Sequence, residues 1–556
     1  MPCIQSELSM PSSINNKDAL LPADQKHAVL GLVTIFCTYF ASIYFFRGAG
    51  VTAPKIAADL DGMALFSWAI SLPSLAAAFA TLVFGKLSDM YGRRRLLLTA
   101  IVLYLTGAVM AGFSRDYVFF IVASVILSSG QAALTPLCFS VIGDLYAPAE
   151  RSRWSGLLQI PAGIAALAVP TLVGMMTDSI GWRYFYWISV ILALISGFLM
   201  LSGIPSASKR SDHKFDLPGS LLLAVAAGTM IIGFSWAGSA YSWTSLRIVG
   251  LFVASLSFWT IFLWFENRRE EPMLDPQVFR NRRFLTAALA GFISYFGFLG
   301  VLRYYPLFLQ GVQGTSATLS GQIITPFGIL MAFIGVPTGY VLARTKRYKW
   351  MYIVGYGILT LAMFAMIPFD TGTPLWLGVL VTSMAGFGLG SIPTMNTLVA
   401  QFSVPKRLLG VAVGAMFFFV FMGGAIGPAI LGSAMNASYE NALQSKLPAE
   451  LSRIADKATL GGLVDSRVLL SPEAMAALEQ AMEPAGEQAR DLFEQTVLAL
   501  RDSMKTSLRT VFLINAVCAL ASFLLILTIP EVPIDVETPD KKRWKRDRHF
   551  TRLSKT

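Results

Sequence analysis

Apolar residues run in long blocks along this chain, separated by short polar turns that hold glycine and charge. The blocks lie near 28–50, 66–88, 97–114, 117–143, 153–177, 183–204, 217–238, 247–265, 284–311, 320–343, 350–369, 375–402, 408–435 and 508–530. Each is near the ~20 residues that a helix needs to cross the ~30 Å hydrocarbon core of a bilayer. The pattern predicts an all-α integral membrane protein with about 14 transmembrane helices.

The turns between blocks alternate in charge. One set holds Arg93–Arg95, Arg151 and Arg153, Lys209 and Arg210, Arg280 with Arg282 and Arg283, Arg344 with Lys346 and Arg347, and Lys406 with Arg407. The other holds Asp59 and Asp61, Asp116, Asp178, Asp370 and a long acidic-leaning loop. Lys and Arg accumulate on the cytoplasmic side of membrane proteins, so both termini are expected in the cytoplasm. The expected location is a bacterial inner (plasma) membrane. Residues 1–27 carry no cleavage pattern and read as a cytoplasmic lead.

Two segments are more than connectors. Residues 437–507 form a polar stretch before the last span, and Pro472 to Glu483 within it has a helical spacing of apolar positions. It reads as a solvated helical hairpin that extends the last two spans; the alternative is a docking surface for an extracytoplasmic partner. The tail Lys541-Lys-Arg543-Trp-Lys545-Arg546 suits anionic lipid headgroups.

Composition narrows the class further. Only 14% of the 556 residues are charged and 55% are hydrophobic, against ~25% charge in soluble domains. The net charge of +11 sits mostly in the turns, so it marks topology and not a nucleic-acid partner. Cys3, Cys37, Cys138 and Cys518 are scattered and have no zinc-ligand spacing; His27, His213 and His549 fall outside the spans. No nucleotide-binding glycine loop, metal-ligand cluster or nucleophile–histidine arrangement appears, which argues against an enzyme and implies no cofactor and no metal.

The turn Gly85-Lys-Leu-Ser-Asp89-Met-Tyr-Gly92-Arg93-Arg94-Arg95 joins the second and third spans. Farther on come Gly181-Trp182-Arg183, Lys214-Phe-Asp216-Leu-Pro-Gly219, Glu266 through Phe284, and Pro306-Leu-Phe-Leu-Gln310 with Gly314 and Gly321. In this order they resemble the major facilitator superfamily, in particular its 14-helix drug:proton antiporter branch. The resemblance spans about residues 28–435 plus the last helix. It implies two six-helix bundles, at 28–204 and 284–530, with two extra helices within 205–283 and a cytoplasmic tail at 531–556. It also implies alternating access around a midplane site, with Asp89 and Arg93 as a conformational gate and Gly85 and Gly92 permitting close approach. The counterpart Gly339-Tyr-Val-Leu-Ala343-Arg344 lacks the aspartate. Helix-packing positions are Pro170 and Gly174 in the fifth span and Gly427 and Pro428 in the thirteenth; Val169 and Val173 stand where the branch has glycines.

The chain departs from the branch where substrate is expected. Phe45 takes the place of a first-helix aspartate and Ile126 that of a fourth-helix basic residue, and no span carries a clear midplane carboxylate. Arg47 and Arg303 appear instead, in helices that are equivalent in the two halves. An arginine fork suits a carboxylate or phosphate, although either side chain can also snorkel to headgroups. Substrate-binding candidates are therefore Arg47, Gln131, Arg303, Tyr304, Gln310 and Asn396; Tyr44, Gln159, Tyr305 and Gln401 are further polar or aromatic positions. The leading expectation is proton-driven export of amphipathic organic compounds. The alternative is a transporter of organic anions that uses Arg47 and Arg303.

Overall fold

The computed structural model describes residues 25–531, apart from 63–64, 147, 204–215, 239–240, 269–275 and most of 449–488. Helix occupies each apolar block. The first half comprises α1 (Gln25–Asp59), α2 (Phe66–Tyr91), α3 (Arg93–Gly112), α4 (Tyr117–Leu145), α5 (Pro148–Leu157), α6 (Gln159–Ser179) and α7 (Arg183–Gly203). Then come α8 (Leu217–Trp236), α9 (Leu246–Glu266) and the short α10 (Pro276–Arg280). The second half comprises α11 (Arg282–Leu307), α12 (Ala317–Phe333), α13 (Gly335–Thr345), α14 (Lys349–Met366), α15 (Leu375–Phe402), α16 (Leu409–Lys446) and α17 (Ala489–Leu527). Fourteen is an approximate count: among the described residues 12 helices are long and apolar enough to cross a membrane, and Pro218–Phe234 is a shorter apolar one.

Two predicted spans are each broken into a pair of helices. The fifth divides into α5 and α6 at Leu158, and the tenth into α12 and α13 at Ile334. These broken helices face each other across the halves, α5 against α13 and α6 against α12. Beyond Pro306, which has no N–H to give, the backbone relaxes into a π turn at Phe308–Val312. The inserted helix α8 lies against both α2 and α16, and α9 packs on α8. Trp236 meets Trp68 edge-on at 4.6 Å, and Ser433 donates to the Ala237 carbonyl at 3.2 Å.

The last two spans run well past the membrane. At ~1.5 Å per residue, the 38 residues of α16 exceed a ~30 Å hydrocarbon core by almost twofold. Lys446 pairs with Asp502 at 3.6 Å and Tyr439 donates to the Leu463 carbonyl at 3.1 Å, so the ends of α16 and α17 form a packed helical hairpin. Much of the 437–507 stretch is thus a continuation of two helices. The rest of its 472–483 segment, beyond residues 475–476 and 478–480, lies outside the described residues.

Apolar contact alone gains little in lipid, so close backbone approach does the packing. A Cβ on Gly107 of α3 would lie 2.4 Å from the Leu127 backbone nitrogen of α4. One on Gly427 of α16 would lie 2.1 Å from the Phe296 carbonyl of α11, as the helix-packing expectation requires. Gly174 differs: a Cβ there would meet only Val51, at 3.8 Å, in ordinary contact. Its glycine is not required by close packing, while Val169 and Val173 beside it are buried in the core. Gly107→Ala should lower the thermal midpoint in detergent, since overpacking costs about 1–3 kcal/mol. Gly250→Ala, where a Cβ has open space, should leave the midpoint level or raise it. Equal midpoints for the two variants would contradict the packing account.

Candidate functional site: an inter-half latch and an aromatic cleft

The turn singled out in the sequence brings a carboxylate to the start of a helix in the opposite half. Helix α2 ends at Tyr91, and Gly92 takes φ +92°, a conformation that a side chain would strain. Helix α3 then opens on Arg93. Asp89 lies in the last turn of α2 with its side chain 7% exposed, and Arg93 binds it at 2.5 Å. The two carboxylate oxygens accept the backbone N–H groups of Gly410, at 2.9 Å, and Val411, at 2.8 Å. Those are the second and third N–H groups of α16, whose own cap residue Leu408 offers no side-chain acceptor. An anion at a helix N-terminus satisfies orphan donors and complements the helix dipole. Asp89 caps α16 from another bundle.

Two further features make that contact possible. A Cβ on Gly85 would sit 2.5 Å from the Gly410 carbonyl, so both gate glycines are needed for separate reasons. Arg93 is held from its other side by Asp144 of α4, at 2.8 Å, and it also donates to Ser88. Asp144 was missed in the sequence. The Gly143-Asp144 pair just before the fourth span ends was the available signal.

The pseudo-equivalent seam, between α5 and α13, carries no carboxylate at the matching position. A Cβ on Gly339 would lie 2.3 Å from the Ser152 carbonyl, and one on Gly156 would lie 2.8 Å from the Gly335 carbonyl. Arg153 donates to the Tyr340 hydroxyl at 3.0 Å and lies over its ring at 5.0 Å. A third fastening joins α15 to α4, where the Gln401 amide donates to the Phe139 carbonyl at 2.9 Å. Gln401 is therefore an inter-half clamp, not a free cavity residue.

Beyond this locked basic end, aromatic rings from both halves form one wall. Tyr39 of α1 meets Phe139 of α4 at 5.6 Å, Phe139 meets Phe417 of α16 at 5.8 Å, and Phe421 meets Phe46 of α1 at 6.4 Å. Phe46 is 51% exposed. Arg47 follows it, its guanidinium 6.0 Å from the Phe46 ring and its Nε buried without a partner. Its electrostatic neighbours are Tyr39 and, from the second half, Tyr295 of α11. The wall was missed in the sequence because the phenylalanines were weighed only as a total. The run Met416-Phe417-Phe418-Phe419-Val420-Phe421 was its visible trace.

Most of the other substrate candidates are committed to packing. Gln131 is buried and its amide donates to Ser42 Oγ at 2.9 Å, inside the first half. Asn396 is buried and accepts the Tyr352 hydroxyl at 2.8 Å, inside the second. Tyr304 donates to the Pro428 carbonyl of α16 at 3.1 Å. Gln310 is half-buried in the π turn. These residues satisfy polar groups between helices, the ordinary need of a membrane bundle. The Arg303 side chain lies outside the described residues, so its pairing with Arg47 remains an expectation. Among the described residues no group of His, Cys, Asp and Glu is placed to hold a metal.

Helices of this number, broken at matching places and joined across the halves by a charged turn, define a membrane transporter built from two bundles. The family model of the major facilitator superfamily matches residues 35–428, and the chain belongs to that superfamily. It is 27% identical over 476 residues to the multidrug transporter protein MdtP of Bacillus subtilis, covering 83% of this chain and 86% of that one. It is 29% identical to multidrug resistance protein 3 of the same organism, covering 70% and 76%. The fold is similar to that of the proton:xylose symporter XylE, with a TM-score of 0.56 at 13% identity, over 92% of this chain and 97% of that one.

Asp89→Asn should loosen the basic end. Spin labels at Tyr91 and Arg407, near the facing ends of the two halves, should shift toward longer distances. Loss of about 2 kcal/mol from the closed arrangement corresponds to roughly 30-fold in population. Gln401→Leu removes one neutral bond, worth about 1 kcal/mol, and should move the same distribution less. An unchanged distribution in Asp89→Asn would remove the latch.

Proposed function

We propose that this chain exports amphipathic organic compounds by alternating access, driven by the proton gradient. The observation that carries this reading is the aromatic wall that joins Phe46 of α1 to Phe417 and Phe421 of α16, just beyond the Asp89 latch. Flat, polarizable rings accept many apolar shapes without demanding a fixed hydrogen-bond pattern. Because the wall draws on both halves, a rocking motion takes it apart and reassembles it facing the other side. The multidrug names of the relatives agree with such a surface.

In this reading the arginine-rich turns and both termini are cytoplasmic, in a bacterial inner membrane. Asp89, Arg93 and α16 shut the cytoplasmic end while the cleft opens outward. Breaking the latch admits substrate from the cytoplasm and the inner leaflet. The helical hairpin of α16 and α17 then stands on the outer face.

Reconstituted protein under an imposed pH gradient should move a lipophilic cationic dye against its gradient, and a protonophore should abolish that movement. Phe421→Ala should raise the KM for the dye several-fold, the loss expected for one aromatic contact of about 1 kcal/mol. Transport confined to organic anions and lost in Arg47→Ala would overturn the reading.

A further inference from the structure

The second half contains a small, mostly apolar space with two polar residues in its wall. It lies among α11, α12, α14, α15 and α17 and measures about 10 Å³. Phe327, Leu359, Met363 and Leu389 give it apolar walls, and Ser294 and Asn515 give it polar ones. Asn515 of α17 is 1% exposed, and neither its amide nitrogen nor its carbonyl oxygen has a hydrogen-bond partner among the described residues. Ser294 of α11 spends its proton on the Gly291 carbonyl at 3.0 Å, which leaves its lone pairs open. The hydroxyl of Tyr356 on α14 lies beside Ser294, its hydrogen-bonding neighbour.

In the first half the buried Tyr104 of α3 donates to the Ala41 carbonyl of α1 at 3.0 Å. The first half therefore satisfies its buried tyrosine with protein alone, whereas the second leaves a donor–acceptor amide facing a space between helices. An amide buried in an apolar setting with no partner costs about 1–3 kcal/mol. Water occupies cavities of ~10–15 Å³ when two to four polar partners line them, and purely apolar ones stay dry.

We propose that this space is a binding site for one water molecule, which bridges Asn515 on α17 to Ser294 on α11. The water accepts from the Asn515 amide nitrogen. It donates one proton to the Asn515 carbonyl oxygen and the other to Ser294 Oγ. The bridge fastens α17, the last helix, to the helix that opens the second half. It thus helps that half to move as one body.

Radiolytic hydroxyl-radical footprinting of the wild-type protein in detergent tests this directly, because a bound water generates radicals where bulk solvent does not reach. Met363 lines the site, whereas Met395 and Met504 are equally buried and do not line it. Met363 should be oxidised well above Met395 and Met504, and Asn515→Leu should bring it down to their level. Met363 as protected as the other two in the wild type would overturn the proposal, whatever the variant does. Equal oxidation of all three would overturn it as well, since that pattern reports general access and not a bound water.

Discussion

Helix α16 begins at Leu408 and Leu409, two residues with nothing to offer its first N–H groups, and the acceptor they lack is supplied by Asp89 from the other bundle. Within one half, such a contact would be an ordinary cap worth about 1 kcal/mol. Placed between halves, it makes the closed arrangement of the basic end a condition for satisfying α16. Separation of the halves exposes the carboxylate, Arg93 and two backbone donors together. Water can then enter and replace the lost partners, so the open arrangement is accessible and the closed one is favoured only modestly. Glycines at 85, 410 and 414 keep the two backbones within reach of that carboxylate.

The two seams use different physics for the same task. Between α2 and α16 a charge does the holding, supported on its far side by Asp144. Between α5 and α13 backbones touch at Gly156 and Gly339, and the polar link is Arg153 on Tyr340. Charge-assisted bonds are strong and responsive to local protonation and salt, whereas glycine contacts depend on shape alone. An unequal pair lets one seam respond to conditions while the other keeps the alignment of the halves. Gln401 adds a neutral link at the floor of the cleft.

Legibility in the sequence followed the range of the interactions. Spans, their order and the Gly85–Arg95 turn are local features, so hydropathy and residue spacing revealed them. The apolar block of α16 stops at residue 435 while the helix runs to Lys446, because a helix that leaves the membrane keeps its backbone pattern but loses its apolar one. The hairpin expected there was legible from helical spacing; its exact bounds were not. The Gly85–Arg95 turn stood out because a carboxylate beside arginines and glycines is unusual at a helix junction, whereas the positive φ of Gly92 came only from the structure. The substrate candidates were less so. A polar residue within a span signals only that some partner exists, and Gln131, Asn396 and Tyr304 found theirs in neighbouring helices. Nothing local distinguishes that outcome from a side chain facing a cleft.

Arg47 is the exception, and its setting limits what it can do. Its Nε has no partner, yet Tyr39 and Tyr295 flank it with hydroxyls and the Phe46 ring lies nearby. A bare guanidinium in an apolar cleft would repel the cations that aromatic walls otherwise favour. Here the cation has one electrostatic neighbour in each half, Tyr39 and Tyr295. It is therefore placed to register whether α1 and α11 are together, which a residue bound within one half does not do. In the export reading proposed above, cargo that packs on Phe421 and Phe46 need not contact the charge at all. Under that proposal a broad substrate range and an intramembrane cation are compatible, provided the rings and the guanidinium serve different steps of the cycle.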